Sequence, residues 1–188
     1  LDLPFDDNYW VKDIEFSQSK PGEIVVGGFL KDVIERRGRD LVKCGIFSFT
    51  IDLNSFSVKA HPVRMFDDRM LAALESNKKR SRYFKYKLDY ILPVGEDVYY
   101  IGQQYKEEMV TTTTYNAGFG GSMGGSTRSS THWDYEYMDV IVAKLNAKGE
   151  FEWIKNAPHR NAVRLQRPHV FKQYFALATP ANIYIFNN

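Results

Sequence analysis

Apolar residues fall along this chain in two patterns, short continuous runs and strict alternations. A continuous run marks a strand covered on both faces, and an alternation marks a strand with one wet face. The clearest instance is the stretch 138–155. Val140 to Ala143 is continuously apolar and Leu145 extends the run, Asn146 to Gly149 is a turn cluster, and the return alternates as Glu150, Phe151, Glu152, Trp153. Gly149 stands where a short hairpin loop needs a positive φ. The pattern predicts a buried strand leading to a half-exposed partner with Phe151 and Trp153 turned inward. A stack of sheets around an axis or an ordinary antiparallel sandwich accounts equally for both strands.

The rest of the chain reads in the same terms. Tyr9 to Phe16 is a first strand with Trp10, Ile14 and Phe16 as its core residues, and Pro21-Gly22 punctuates the turn that follows. Residues 23–30 form a second strand in which Gly27 and Gly28 signal a bulge or a close backbone approach. Lys31 to Lys43 is charged and reads as a solvated connection. Gly45 to Asp52 is a third strand, Leu53 to Ser55 turns the chain, and Phe56 to Ala60 returns it. The period then changes. Between Arg64 and Lys79, Phe66, Met70 and Leu74 recur at steps of four, with Asp67 and Asp68 near the start and Lys78, Lys79 and Arg80 at the end. That is an amphipathic helix with charges placed as its dipole favours, expected to cover the end or edge of a sheet. Period two resumes with Phe84, Tyr86, Leu88, Tyr90 and Leu92 on one face. Residues 98–105 are a strand, 106–137 a long polar insertion, and 159–169 a basic loop. Residues 170–177 and 182–187 are two final strands.

These segments repeat. Ile24-Val25-Val26-Gly27 answers Tyr99-Tyr100-Ile101-Gly102 at an offset of 75, and Ile46-Phe47-Ser48-Phe49 answers Val140-Ile141-Val142-Ala143 at an offset of 94. The expected fold is all-β, with tandem four-stranded antiparallel sheets in the manner of a β-propeller and one inserted amphipathic helix. A single propeller-like domain spans 1–188. Its first blade is 9–62, the helical insertion 63–82, the second blade 83–158 with its insertion at 106–137, and the start of a third blade 168–188. Two and a half blades close no ring, the chain opens on Leu1, and its last residues read as a strand, so a longer chain or complex is expected.

Gly102-Gln103-Gln104-Tyr105, a Thr/Ser/Gly-rich insertion, and then Asp139 to Lys155 with Lys144-Leu145, Gly149 and Trp153 resemble the repeats of exported β-propeller proteins of bacteria, particularly Bacteroidetes. The resemblance covers 97–158 and is weaker over 23–62, where Gly45 replaces the Asp and no Trp occurs. It implies a propeller fold and a periplasmic, cell-surface or secreted setting, with the export signal outside the sequence in hand. It brings no catalytic motif.

Composition narrows the classes. A hydrophobic content of 44% with 26% charged residues fits a soluble globular chain, and the Tyr and Phe share favours strands over helices. The net charge of +2 implies no nucleic-acid partner, and no apolar run is long enough for a transmembrane helix. Cys44 is the single cysteine, so this sequence holds no intrachain disulfide and no cysteine metal cluster. His61, His132, His159 and His169 lack metal-ligand spacing, and no nucleophile motif or phosphate loop is present.

Two stretches carry candidate function. Thr111 to Tyr115 and Ser129 to Tyr137 fit a protruding β-arm with a Gly-rich tip, whose handles on a protein partner are Tyr115, Phe119, Trp133, Tyr135 and Tyr137. His159, Arg160, Arg164, Arg167 and His169 form a basic cluster suited to an anionic glycan or phosphate, or to plain solvation. The expectation is a binding or scaffold module rather than an enzyme, without cofactor or metal, contacting a protein partner or further blades. The alternative is a carbohydrate-binding or glycan-processing propeller.

Overall fold

The computed structural model describes residues 9–11, 13–36, 39–66, 85–116, 126–168 and 172–187. Over these the chain is all-β and antiparallel, with no helix. The first sheet holds β1 (Tyr9–Val11), β2 (Glu15–Lys20), β3 (Glu23–Arg36), β4 (Arg39–Asp52), β5 (Val58–Ala60) and β6 (Arg64–Met65). β1 and β2 share one edge of β3, and β5 and β6 share the far edge of β4, so the sheet is four strands deep. The second sheet repeats this plan with β7 (Lys85–Val94), β8 (Asp97–Asn116), β9 (Ser126–Leu145), β10 (Phe151–Ala157) and β11 (Asn161–Leu165), the last two sharing the far edge of β9. The third sheet is the hairpin of β12 (Tyr174–Ala178) and β13 (Ile183–Asn187).

The sheets stack through their apolar faces. Val25, Phe29 and Ile46 of the first sheet pack against Leu88, Tyr100 and Ile141 of the second. Ile101, Val140 and Val142, on the second sheet's other face, pack against Tyr174 and Ala176 of the third. The run Val140 to Ala143 is therefore buried on both faces, as its unbroken apolarity predicts. Close approach demands glycine at two places. A Cβ at Gly102 would meet the Lys87 carbonyl oxygen at 2.5 Å and the Phe29 ring at 2.6 Å, and one at Gly28 would strike the Asp13 carbonyl.

Several expectations are revised. Lys31 to Lys43 is no solvated connection, because β3 and β4 pair without interruption to Arg36↔Arg39. The basic stretch after His159 contains a strand, β11, paired along β9. Ile14 and Phe16 are exposed rather than core, because the first edge breaks between Val11 and Glu15 and resumes as β2 in a shifted register. A bulge between Leu88 and Tyr90 splits the face assigned to β7: Leu88 and Ile91 look toward the first sheet, Tyr90 and Leu92 toward the third. The bulge between Phe151 and Trp153 does the same to β10, so Phe151 packs on Tyr100 and Trp153 on Tyr99, from opposite sides. One extra residue in a strand of period two exchanges its faces. The helix expected over 63–82 falls mostly outside the described residues. Its described beginning, Arg64–Met65, is a strand on β4, and Phe66 is buried in the core.

Candidate functional site

The candidate contact arm lies on the ribbon of β8 and β9. Two 20-residue strands stay in register from Val98↔Leu145 to Asn116↔Ser126, with one irregularity between Gln103 and Tyr105. Among the described residues, β7 last supports β8 at Tyr105, and β11 last supports β9 at Trp133. Beyond Met109↔Trp133 the two strands continue alone for seven paired positions, about 20 Å at a strand's rise per residue. The sequence explains why this ribbon holds. Thr111 to Thr114 face Thr131, Ser130, Ser129 and Arg128, and β-branched threonine suits an extended backbone. Thr111 and Thr131 hydroxyls hydrogen-bond across the pair at 3.1 Å.

The base of the ribbon is braced on both sides. On one side Arg164 of β11 donates to Asp134 from Nε at 2.8 Å and from Nη2 at 3.2 Å. That guanidinium holds the Asp134 carboxyl below its ordinary range, and His132 Nε2 stands 3.6 Å from the same carboxylate. On the other side Tyr135 and Tyr137 stack, their ring centroids 6.2 Å apart, with Tyr105 beside Tyr137. Burial pushes the Tyr105 hydroxyl up to about 12.

The five proposed handles separate accordingly. Tyr115 lies far out on the ribbon and is 68% exposed. Trp133 is half-buried at the root. Tyr135 and Tyr137 are 1% and 2% exposed, so they anchor the ribbon rather than face a partner. Phe119 lies outside the described residues. Met109, which alternation in a polar insertion did not single out, is 58% exposed on the ribbon. The basic cluster does not assemble as one patch. Arg164 is taken by Asp134, His159 is buried with its backbone N–H on Asp139 at 3.3 Å, and His169 lies outside the described residues. Burial holds the His159 ring below its usual range. Among the described residues no group of His, Cys, Asp and Glu has metal-binding geometry.

A second constellation lies between the sheets. Asp13, in the break between β1 and β2, accepts the Phe29 N–H at 3.0 Å from its own sheet and the Leu88 N–H from the next. Asp89, in the β7 bulge, accepts the Tyr174 hydroxyl at 2.9 Å from the third sheet. Lys172 donates to the Asp89 carbonyl at 2.6 Å and sits 4.3 Å from the Tyr90 ring centroid, and Lys87 pairs with the Asp89 carboxylate at 3.5 Å. Burial raises both carboxyls, Asp13 to about 6. Each aspartate thus clasps its sheet to the following one. Both oxygens of Asp13 already accept peptide N–H groups, so this is a structural joint rather than an acid or base offered to a substrate. Local sequence carries no signal for it, because Asp89 falls at the polar position of an alternating strand after Lys85 and Lys87, and Asp13 follows Lys12.

Comparisons with protein-family models, with curated proteins and with solved structures found no match to this chain. Function must then be read from the chain's own geometry. No described helix is long and apolar enough to cross a membrane.

Proposed function

We propose that this chain is a protein-binding scaffold module in which tandem four-stranded sheets are arranged like β-propeller blades and the β8–β9 ribbon is the contact arm. The observation that carries the reading is the ribbon itself. An isolated two-stranded hairpin is marginal in water. This one stays in register for seven pairs past its sheet, with a salt bridge and a tyrosine stack at its root, while Met109 and Tyr115 stay exposed along it. An arm already paired before docking loses less conformational entropy on binding than an unstructured segment would.

The blade-like reading draws support from shared registers. Lys20↔Glu23 and Val94↔Asp97 close equivalent two-residue turns, 94 − 20 = 74 and 97 − 23 = 74 positions apart. Asp52 and Asn146 each cap the outer hairpin of their sheet with a side-chain oxygen on backbone N–H groups two and three or four residues on, 146 − 52 = 94 positions apart. The first correspondence is thus 74, not 75, which aligns Gly28 with Gly102, each against a carbonyl from the sheet's edge, Asp13 in the break before β2 and Lys87 in β7. Successive sheets also approach along their first strands, β2 against β7 and β7 against β12, as wedges about an axis do. The envelope setting rests on the sequence resemblance alone.

The test replaces Thr111–Thr131 with a two-residue turn and compares partner capture and crosslinking with the intact chain. The expected outcome is unchanged folding with loss of the complex. An unchanged complex refutes the contact-arm reading.

A further inference from the structure

We propose that the ribbon docks on a second copy of this chain, the β8 strands of the two copies pairing antiparallel about a two-fold axis at Thr112 and joining both ribbons into one sheet. This rests on the contact-arm reading and identifies what the arm contacts.

Three observations carry it. The first is an open edge in the middle of the chain. On the side of β8 away from β9, β7 ends its pairing at Tyr105. Among the described residues no strand follows it there, so the peptide groups of β8 beyond Tyr105 stand ready to accept one. Strands β9, β10 and β11 come later in the chain and join the same sheet, and none of them takes this edge. Thr111 to Tyr115 point alternately to the two faces and all are exposed, so neither face of the segment is covered.

The second observation is charge. Edge strands are commonly blunted by charged side chains. β2 carries Glu15 and Lys20, β5 carries Lys59, β6 carries Arg64, and β10 carries Glu152 and Lys155. The ribbon's other edge, Ser126 to His132 of β9, carries Arg128. Met109 to Asn116 of β8, reading MVTTTTYN, holds no charge, no proline and no glycine, and Val110 to Thr114 are all β-branched. Lys106, Glu107 and Glu108 bound the segment at the root.

The third observation is self-complementarity. In an antiparallel pair of identical strands, a two-fold axis sets one residue against its own copy and pairs the others at equal distances on either side. With the axis at Thr112, Thr111 meets Thr113, Val110 meets Thr114, and Met109 meets Tyr115. Met109 and Tyr115 are the two large apolar residues exposed on the ribbon, they share one face, and both lie three positions from Thr112, as 112 − 109 = 3 and 115 − 112 = 3. Each is thereby covered by the other from the second copy, and a thioether against an aromatic ring is a favourable contact. Threonine pairs are favourable across strands as well, and Glu108 meets Asn116, so no like charges oppose. An axis at Thr113 instead sets Tyr115 against Thr111 and takes Met109 away from the ring.

The test follows the full chain by sedimentation equilibrium, with amide hydrogen exchange read residue by residue at low and high concentration. Reversible dimerisation is expected, with exchange slowed along Met109 to Asn116 as the dimer fills. Thr112→Lys and Thr112→Glu each put a charge on the axis against its own copy, while the neighbour across the ribbon remains Ser130. Either variant alone should dimerise about tenfold more weakly than wild type, because like charges then face each other. An equimolar mixture of the two should regain the dimer as a mixed pair, because lysine then faces glutamate, and that rescue excludes misfolding as the cause of the loss. Variants that dimerise as wild type does overturn the proposal, and so does a mixture that stays monomeric. Slowed exchange along Ser126 to His132 in place of Met109 to Asn116 overturns it too, since the other edge is then the one in use. A wild-type chain that is monomeric at every concentration, yet captures a different protein through the ribbon, overturns this proposal and leaves the contact-arm reading standing, so the two failures are distinguishable.

Discussion

Asp13 gives the sharpest stability test, because its charge is held where burial disfavours it. The perturbation is Asp13→Asn, nearly isosteric and uncharged. In the folded chain burial raises the Asp13 carboxyl from 3.8 to about 6, while the Phe29 and Leu88 N–H groups act the other way. A folded-state pKa above the unfolded one means that the folded chain binds the proton more tightly. The resulting stability is complete below the unfolded pKa and is lost as pH rises through about 6. A shift of that size corresponds to about 3 kcal/mol between the two limits. The substitution removes this pH dependence but leaves only one acceptor oxygen, which costs about 1–3 kcal/mol for the N–H left without a partner. At pH 4 the folded wild-type carboxyl is itself protonated, but its hydroxyl oxygen still accepts weakly where an amide nitrogen does not, so wild type should be the more stable there by a small margin. Wild type should then lose about 2.5 kcal/mol relative to the variant by pH 8, since pH 4 already lies just above the unfolded pKa. Urea unfolding of both proteins at half-unit steps from pH 4 to 8, read as the difference in free energy, measures this directly. Using the difference cancels carboxylates elsewhere that titrate alike in both proteins, such as Asp134, whose depressed pKa acts in the opposite direction. A difference that stays constant across the range, or that grows in favour of wild type with rising pH, refutes the assignment of Asp13 as a buried, charged joint.

Two further predictions concern packing. Gly102→Ala should destabilise the chain by about 1–3 kcal/mol or more, since the new methyl meets a backbone oxygen that cannot rotate away, and thermal melting against wild type measures it. Tyr135→Ala and Tyr115→Ala should part company although both were candidate handles. The first should cost about 3–5 kcal/mol of stability from a buried site. The second should leave stability within about 0.5 kcal/mol while weakening partner capture, as chemical unfolding and crosslinking respectively record.

Much of the fold is written locally. Pro21-Gly22 fixes a two-residue turn between β2 and β3, and Gly149, with φ of 84°, sits where its hairpin requires a left-handed residue. The unbroken run Val140 to Ala143 announces burial on both faces, and Leu145 continues it. The ribbon was legible too, because threonine on one limb and serine and threonine on the other favour extended pairing over a loop. Which of its aromatics stay exposed was not legible, since Tyr115 and Tyr135 look alike in a polar segment and differ only in what lies beside them.

What the sequence determined by itself is the succession of strands, their turns and their apolar content, because these depend on neighbours within a few residues. What only the tertiary structure decided is which way each side chain points and what it meets. Asp13, Asp89 and Glu152 each sit at an interruption of a strand, and each interruption exchanges the two faces downstream. A bulge forms where a distant group, such as the Leu88 N–H or the Tyr174 hydroxyl, makes the extra residue favourable. Such partners lie 75 and 85 residues away, beyond the reach of any local pattern.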